Sequence, residues 1–171
     1  ISLDILFICV PNDLVLYYKK IFSKSNILVN QIICSSYAKS INYKDSLNLN
    51  GHTSFIDVGF NRTSIISYYD DKILSLDVLP IGGNNITKDI SQILEIDLKR
   101  SEQEKRNFDK NLKRLNNEDV SINTLEKVIF ARTEEILELC FKSSDSNLYM
   151  YDKLKMVLMG EGSKILDNQH K

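Results

Sequence analysis

The chain has 171 residues, of which 43% are hydrophobic and 26% are charged, and its formal net charge is −1. This is the composition of a globular protein with enough apolar residues for a core. The near-neutral charge argues against a nucleic-acid partner, no apolar run reaches the ~20 residues that cross a bilayer, and two histidines argue against a His-based metal site or triad.

The start of the chain predicts a piece of a longer protein. The sequence begins Ile-Ser-Leu-Asp, without Met, and its first apolar run, Ile5–Val10, has the pattern of a buried strand. The chain stops just after a glycine motif, so we expect further sequence there as well. Cys9 and Cys140 fall in apolar periodic segments, where we expect buried free thiols of a reducing cytoplasm.

Apolar spacing predicts alternating strands and helices over the first 50 residues. The first helix has four apolar residues on one face, namely Leu14, Tyr18, Ile21 and Phe22. In order, the predicted elements are the strand Ile5–Val10, a helix begun by Asn12 and Asp13, a strand Ile27–Ile33, a short helix Ser35–Asn42 and a polar loop Tyr43–Gly51.

Three strands then follow in close order and predict an antiparallel meander. In the first of them Ile56 and Val58 share one face while Phe55 and Asp57 share the other, so we expect helices on both sides of the sheet. The strands are Thr53–Val58, Thr63–Tyr69 and Lys72–Leu79, joined by turns at Gly59–Arg62 and Asp70–Asp71.

Everything after Pro80 is predicted to be mainly helical until a last short strand. The predicted elements are a helix capped by Asn84 or Asn85, a charged helix Ser101–Leu115, a loop Asn116–Asp119, a long helix from Ser121 to about Cys140, a loop Ser143–Asn147 and a strand Leu154–Met159. The predicted inward residues are Ile86, Ile90, Ile93 and Leu94 in the first helix, Phe108, Leu112 and Leu115 in the second, and Leu125, Val128, Ile129, Ile136, Leu137 and Cys140 in the third.

Two places in this order have the chemistry of a phosphate site. Asp57 ends a strand beside the Gly59 turn, and Gly82–Gly83 opens a helix. Glycine turns and helix N-termini present N–H groups to anions, and a carboxylate there orients Mg²⁺ or a water. Together the two places indicate a nucleotide. The alternatives are an ordinary hairpin turn with a solvated aspartate and an ordinary tight helix start.

Four segments resemble the FtsA family of actin-like ATPases. Thr53–Thr63 resembles the superfamily's second phosphate motif, and Leu158–Ser163 resembles its adenosine motif. Pro80–Ile90 and Ala131–Ile136 resemble segments of the bacterial cell-division protein FtsA itself. The resemblance implies an α/β fold: an actin-like (ribonuclease-H-like) second lobe, with a mixed sheet flanked by helices and a helical subdomain, as a fragment of a larger fold.

The resemblance also implies a division of the chain. Residues 1–45 would be the end of an inserted subdomain and the crossing into the second lobe. Residues 46–171 would be the nucleotide-facing second lobe. Its parts would be the meander 53–80, a helical subdomain at about 84–150, and the adenosine strand and turn 154–171.

The site residues are implied by the same resemblance. Asp57 would organise Mg²⁺ and the attacking water, while Glu102 and Lys105 would hold the ribose and flank the adenine. The remaining nucleotide contacts would come from Gly59, Thr63, Gly82, Gly83, Asn84, Gly160, Gly162 and Ser163. The alternatives are a solvated charged helix face for Glu102, Lys105 and Arg106 and a plain strand-ending turn for the last glycines. For Arg132 and Glu135 we favour an ion pair that locks two helices.

The sequence departs from the family pattern at the phosphate turn. Phe60, Asn61, Arg62 and Ser64 stand where the family has further glycines, a threonine and an aspartate, and Glu161 stands where a glycine is frequent. Side chains at these places hinder a close approach of backbone to phosphate, although the Arg62 guanidinium partly compensates by binding phosphate itself. The departures predict weakened or altered nucleotide binding.

By resemblance the protein would bind ATP with Mg²⁺, act as a weak ATPase at most, and polymerise into filaments. It would bind the FtsZ C-terminal tail and tether the FtsZ ring to the inner face of the cell membrane at the division site. Its contact with the membrane would be made through a segment absent from this chain. The alternative is a nucleotide-impaired scaffold or a PilM-like adaptor that binds a short peptide of a membrane protein.

Overall fold

The computed structural model describes residues 6–108, 121–143 and 153–165. The chain divides into two compact units, unit 1 (Ile1–Leu49) and unit 2 (Asn50–Lys171). This division falls four residues after the boundary predicted from the resemblance. The predicted subdomain identities of the two parts stay predictions.

Unit 1 contains two helices, α1 (Asn12–Ser23) and α2 (Ser35–Ser46). Both were predicted, and α2 extends through Ser46 into what we predicted as a loop. The two predicted strands are wrong over their described residues, since residues 6–10 and 27–33 form no regular secondary structure. A strand needs a neighbour for its backbone groups, and no described strand pairs with either stretch. Cys9 is accordingly exposed rather than buried.

Unit 2 is built on a four-stranded mixed sheet of order β3-β2-β1-β4. The predicted meander is confirmed, and β4 lies parallel to β1 with Asp57 beside Met159. Val58 pairs with Thr63, which leaves four residues for the β1–β2 turn. The strands are β1 (His52–Val58), β2 (Thr63–Tyr69), β3 (Lys72–Leu79) and β4 (Lys155–Met159).

Helices pack on one face of this sheet and form the core with it. On the other face Phe55 is buried and meets the Tyr68 ring edge-on at 5.6 Å. The helices are α3 (Gly83–Ile93), α4 (Leu98–Arg106), α5 (Ile122–Ser143) and a short 3₁₀ turn (Glu161–Ile165). The core residues shared by sheet and helices include Ile56, Val58 and Ile65, Ile86 and Ile90 of α3, and Leu125, Ile129 and Ile136 of α5.

Most predicted inward residues are confirmed as buried. Leu94 and Leu137 are only partly buried, and Ile93 is 55% exposed because it lies at the last turn of α3. Cys140 is buried as predicted, and burial raises the pKa of its thiol to about 11. The predictions for Leu112, Leu115, the loop Asn116–Asp119 and residues 144–147 lie outside the described residues.

A bidentate ion pair joins α3 to α5. The Arg132 guanidinium donates to both carboxylate oxygens of Asp89, at 2.5 and 3.0 Å, and also to Glu135 on its own helix. The predicted helix-locking role of Arg132 is therefore confirmed. Its main partner, Asp89, is 43 residues away and had no sequence signal. Among the described helices, none is long and apolar enough to cross a membrane.

Candidate functional site

Three predicted motifs meet at the carboxyl end of β1. They are the β1–β2 turn, the bend before α3 and the bend after β4. A methyl group added at Gly82 would lie 2.6 Å from the carbonyl oxygen of Gly59 and 2.8 Å from that of Phe60. One added at Gly160 would collide with Asp57 Oδ1 and lie 2.6 Å from Val58 O. The bend before α3 thus lies against the β1–β2 turn, and the bend after β4 lies against the last two residues of β1. Their role toward a ligand stays a prediction.

Glycines in these bends have a structural cause that does not involve a ligand. Gly160 has φ +91°, a conformation that side-chain-bearing residues rarely adopt. A methyl group at Gly162 would lie 2.6 Å from Val58 Cγ1 and 2.8 Å from Val58 O. The bend after β4 therefore needs glycine so that it can approach the end of β1.

Asp57 is 5% exposed at the centre of this arrangement. Its side chain lies on the same sheet face as Phe55, next to the backbone of Gly160. A buried carboxylate at a strand end has the chemistry to orient Mg²⁺ or polarise a water. Within the described ranges no three His, Cys, Asp or Glu side chains converge on a metal position. A Mg²⁺ at Asp57 would therefore take its other oxygens from phosphates and water, as this ion commonly does.

The hydroxyls of two predicted nucleotide-contact residues, Thr63 and Ser163, hold the bends in place. Thr63 is fully buried, and its hydroxyl donates to the carbonyl of Ile81 at 2.8 Å. Ser163 is 7% exposed, and its hydroxyl donates to the carbonyl of Gly160 at 2.7 Å. Each hydroxyl has one hydrogen, so neither group can donate to a ligand while this bond persists.

The start of α3 does not offer free N–H groups, contrary to our expectation. The N–H of Gly83 donates to the carbonyl of Gly59 at 2.9 Å, and that of Asn84 donates to the carbonyl of Phe60 at 2.7 Å. The side chain of Asn84 also donates to Asn61 Oδ1 at 3.0 Å. The other two N–H groups pair inside the bend, Gly82 with Asn85 Oδ1 at 3.1 Å and Asn85 with Gly82 O at 2.9 Å. The β1–β2 turn thus occupies the position that an anion would take at this helix.

The donors that remain lie on the turn itself. Phe60, Asn61 and Arg62 are exposed, and their N–H groups donate to no backbone oxygen of the described residues. Successive N–H groups in a turn form a concave anion site. The sequence predicted anion donors both on the turn that carries Gly59 and at the Gly82–Gly83 helix start, and among the described residues the structure leaves donors on the turn.

The predicted ribose residues form a buried network at the first turn of α3. The Lys105 side chain is 5% exposed, and its ammonium donates to the carbonyl of Gly83 at 2.8 Å, to Thr87 Oγ1 at 2.7 Å and to Glu102 at 2.6 Å. These contacts use all three of its N–H donors. The network therefore ties α4 to the start of α3, and a ligand contact by Lys105 would require one of these bonds to break. The ring of Phe60 lies 5.8 Å from this ammonium.

Thr87 is a member of this network that sequence reasoning missed. Its hydroxyl donates to Glu102 Oε2 at 2.5 Å. Its position four residues after Gly83 was a usable signal, because such residues stack on one helix face.

Burial and ion pairing shift the pKa values of Glu102 and Lys105 in opposite directions. Burial raises the pKa of the Glu102 carboxyl, but hydrogen bonds from Lys105, Thr87 and Arg106 outweigh it, and the net pKa is lowered. Burial lowers the pKa of the Lys105 ammonium, and pairing with Glu102 offsets only part of this. Glu102 is 23% exposed, so its carboxylate is the part of the network that a ligand can reach.

The neighbouring residues Gly82 and Gly83 give a matched test of how tightly the bend before α3 packs against the β1–β2 turn. We expect Gly82→Ala to lower the free energy of unfolding by about 1–3 kcal/mol, because its methyl group meets backbone atoms that cannot yield without moving the turn. Gly83→Ala should change it by less than about 0.5 kcal/mol, since the nearest atom would be Lys105 Nζ at 3.5 Å. Urea unfolding measures both, and equal losses would contradict this account.

The Glu102 network predicts a specific acid dependence of stability. The folded-state pKa of Glu102 lies below its ordinary value of 4.5, so the ionised carboxylate stabilises the fold above that pH. This contribution should be lost as the pH falls through the folded pKa. In Glu102→Gln, stability should be lower at neutral pH and the deficit should shrink in acid. Thermal unfolding between pH 7 and 3 measures this. The control Glu126→Gln removes an exposed carboxylate of α5, and a deficit in Glu102→Gln that does not depend on pH would refute the assignment.

The chain matches one family model and several solved structures. Residues 54–148, more than half of the chain, match the model described as cell division protein FtsA. No curated protein sequence matches the chain.

Three solved structures illustrate the structural similarity. The PilM–PilN type IV pilus biogenesis complex matches with a TM-score of 0.69 and 18% identity, over 90% of this chain and 42% of that chain. The archaeal actin homologue Ta0583 in complex with ADP matches with a TM-score of 0.60 and 11% identity, over 80% of this chain and 47% of that chain. MreB 5 of Spiroplasma citri bound to AMPPNP matches with a TM-score of 0.59 and 14% identity, over 91% of this chain and 61% of that chain.

At these identities the structural matches establish the fold, and the chain spans less than two thirds of each matched chain. The sheet and helices described above are those of an actin-like fold. With more than half of its residues in the family match, the chain belongs to the cell division protein FtsA family.

Proposed function

We propose that this chain is the nucleotide-facing lobe of an FtsA-type protein that binds ATP with Mg²⁺ at the end of β1. The observation that carries the proposal is the convergence of the β1–β2 turn and both glycine bends at the carboxyl end of β1, where Asp57 is buried beside Gly160. Binding of MgATP uses a carboxylate near the metal and backbone donors for the phosphates, and the chain places a buried carboxylate and the N–H groups of a turn here.

In this proposal each group has a distinct task. Asp57 orients the metal and a water, and the turn N–H groups of Phe60, Asn61 and Arg62 face the phosphates with the Arg62 side chain beside them. Glu102 accepts from ribose hydroxyls, which compete with Arg106, now bonded to it at 2.7 Å. The bend of Gly160, Gly162 and Ser163 faces the adenosine. When bound, Mg²⁺ would neutralise phosphate charge.

We further propose that hydrolysis is slow at most. Catalysis of phosphoryl transfer depends on convergent donors fixed around the transferred group. Here the α3 donors and the hydroxyls of Thr63 and Ser163 are already engaged within the protein. Glu161 adds a carboxylate after β4, although Lys164 pairs with it at 2.6 Å.

Family membership supports a wider role as part of the same proposal. The whole protein would self-associate into filaments, bind the FtsZ C-terminal tail, and hold the FtsZ ring at the cytoplasmic face of the membrane during septum formation. Its membrane attachment would come from a segment outside this sequence.

A second candidate is an adaptor that keeps the fold without significant ATPase activity. The specific observation in its favour is the start of α3, where Gly83 and Asn84 donate to the turn rather than stand free. A protein partner, as PilN is in the matched PilM–PilN complex, would then replace nucleotide as the main ligand.

Titration calorimetry with MgATP tests the nucleotide proposal on a protein that spans both lobes. Arg62→Ala should weaken binding about tenfold or more, because it removes a charge-assisted hydrogen bond to phosphate. Asp57→Asn should remove the Mg²⁺ dependence. The matched control is Lys88→Ala, an exposed cation elsewhere on α3, which should leave affinity unchanged. Absence of Mg²⁺-dependent binding by the unaltered protein would favour the adaptor.

Peptide binding separates the two family roles. We expect a labelled FtsZ C-terminal tail to bind with a rise in fluorescence anisotropy, and a PilN-derived peptide of equal length to give none. The reverse result would assign the protein to the PilM-like role. A scrambled FtsZ peptide controls for charge.

A further inference from the structure

The peptide group between Asn50 and Gly51 has a reactivity that the nucleotide proposal does not use. It is the only Asn-Gly pair in the sequence. In such a pair the glycine nitrogen attacks the side-chain carboxamide carbon of the asparagine and forms a five-membered succinimide. The carboxamide nitrogen leaves as ammonia and takes the proton of the glycine N–H. Glycine favours this attack because it has no Cβ that hinders its nitrogen.

The structure leaves this pair accessible to water. Asn50 is exposed, Gly51 is partly exposed, and both lie just before β1, outside any helix or strand. Gly51 has φ +77°, and among the described residues no heavy atom lies within 4 Å of the position that a Cβ would take. Water can therefore reach a succinimide at Asn50. Its addition at one ring carbonyl gives aspartate, and its addition at the other gives isoaspartate.

Three hydrogen bonds hold this peptide group, and we call them the Gly51 clamp. The N–H of Gly51 donates to Asp70 Oδ1 at 2.7 Å, and the carbonyl of Gly51 accepts from the N–H of Asp70 at 3.1 Å. The carbonyl of Asn50 accepts from Lys155 Nζ at 2.9 Å. The clamp thus joins the start of β1 to the β2–β3 turn and to β4.

The clamp opposes succinimide formation. The ring requires the Gly51 nitrogen to eclipse the Cβ of Asn50, at a ψ angle outside the populated backbone regions. The peptide group is planar, so the Asn50 carbonyl and the Gly51 N–H must turn together, away from Lys155 and Asp70. The attacking nitrogen must also lose its proton, and the carboxylate of Asp70 stabilises the protonated N–H.

We propose that Asn50 is a deamidation site and that opening of the Gly51 clamp sets its rate. The isoaspartate product lengthens the main chain by one methylene group directly before β1. Gly51 then no longer meets Asp70 with both its N–H and its carbonyl. The modification therefore makes the opening permanent and loosens the start of β1.

Peptide mapping by mass spectrometry measures deamidation at Asn50 after incubation in mildly alkaline buffer, and isoaspartyl methyltransferase labelling measures isoaspartate independently. We expect the folded protein to react more slowly than the protein unfolded in guanidinium chloride. Asp70→Ala should accelerate the folded protein about threefold to tenfold, because it removes one hydrogen bond to an exposed carboxylate.

The matched controls separate the clamp from a general change of charge. Asp70→Asn keeps an acceptor oxygen and should stay near the unaltered rate. Glu126→Ala removes an exposed carboxylate of α5 and should change nothing. Asn50→Gln should abolish the isoaspartate at this position, because a six-membered ring closes far more slowly.

Two results would overturn the proposal. Equal rates in the unaltered protein and Asp70→Ala would show that the clamp does not control the reaction, and no reaction at Asn50 in the unfolded protein would remove the site itself. Hydrogen exchange checks that Asp70→Ala opens residues 50–52 and leaves α5 protected. If α5 loosens as well, Lys155→Ala decides instead, and an unchanged Asn50 rate in that variant would contradict the clamp.

Discussion

The site depends on the packing of the β1–β2 turn against the start of α3. The carbonyls of Gly59 and Phe60 accept hydrogen bonds from the N–H groups of Gly83 and Asn84. These bonds join the turn and the helix into one structural unit. A helix start has unsatisfied donors that must find acceptors. Here protein carbonyls supply them, and the small size of Gly82 lets the two backbones come within hydrogen-bonding distance.

A second tie reinforces the same place from α4. Lys105 is buried and neutralised by Glu102, and it also binds the carbonyl of Gly83. Removing one partner of a buried charge pair leaves an uncompensated charge, which is far more costly than never having the pair. The network therefore fixes the geometry of the α3 start.

The two units differ in how they satisfy the physical requirements of folding. Unit 2 buries both faces of β1 and pairs each strand with a neighbour. Unit 1 keeps helices α1 and α2, whose hydrogen bonds are local, but its stretches 6–10 and 27–33 pair with no strand in the described part of the chain and are mostly exposed. Helices survive without a partner because their backbone groups bond within the element, whereas strands do not.

The sequence by itself determined most elements of unit 2 and the order of its motifs, because periodicity and turn residues are local properties of the chain. The charged helix predicted at Ser101–Leu115 begins earlier, and α4 spans Leu98–Arg106. It correctly placed the meander, the long helix α5 and the buried Cys140. Only the tertiary structure decided which donors are free, that Asp89 is the partner of Arg132, and that Thr63 holds Ile81. It also decided that residues 6–10 and 27–33 form no strand. The physical reason is the same in each case. A hydrogen-bond partner or a covering surface comes from residues far along the chain, and no local pattern specifies which distant residues will make the contact.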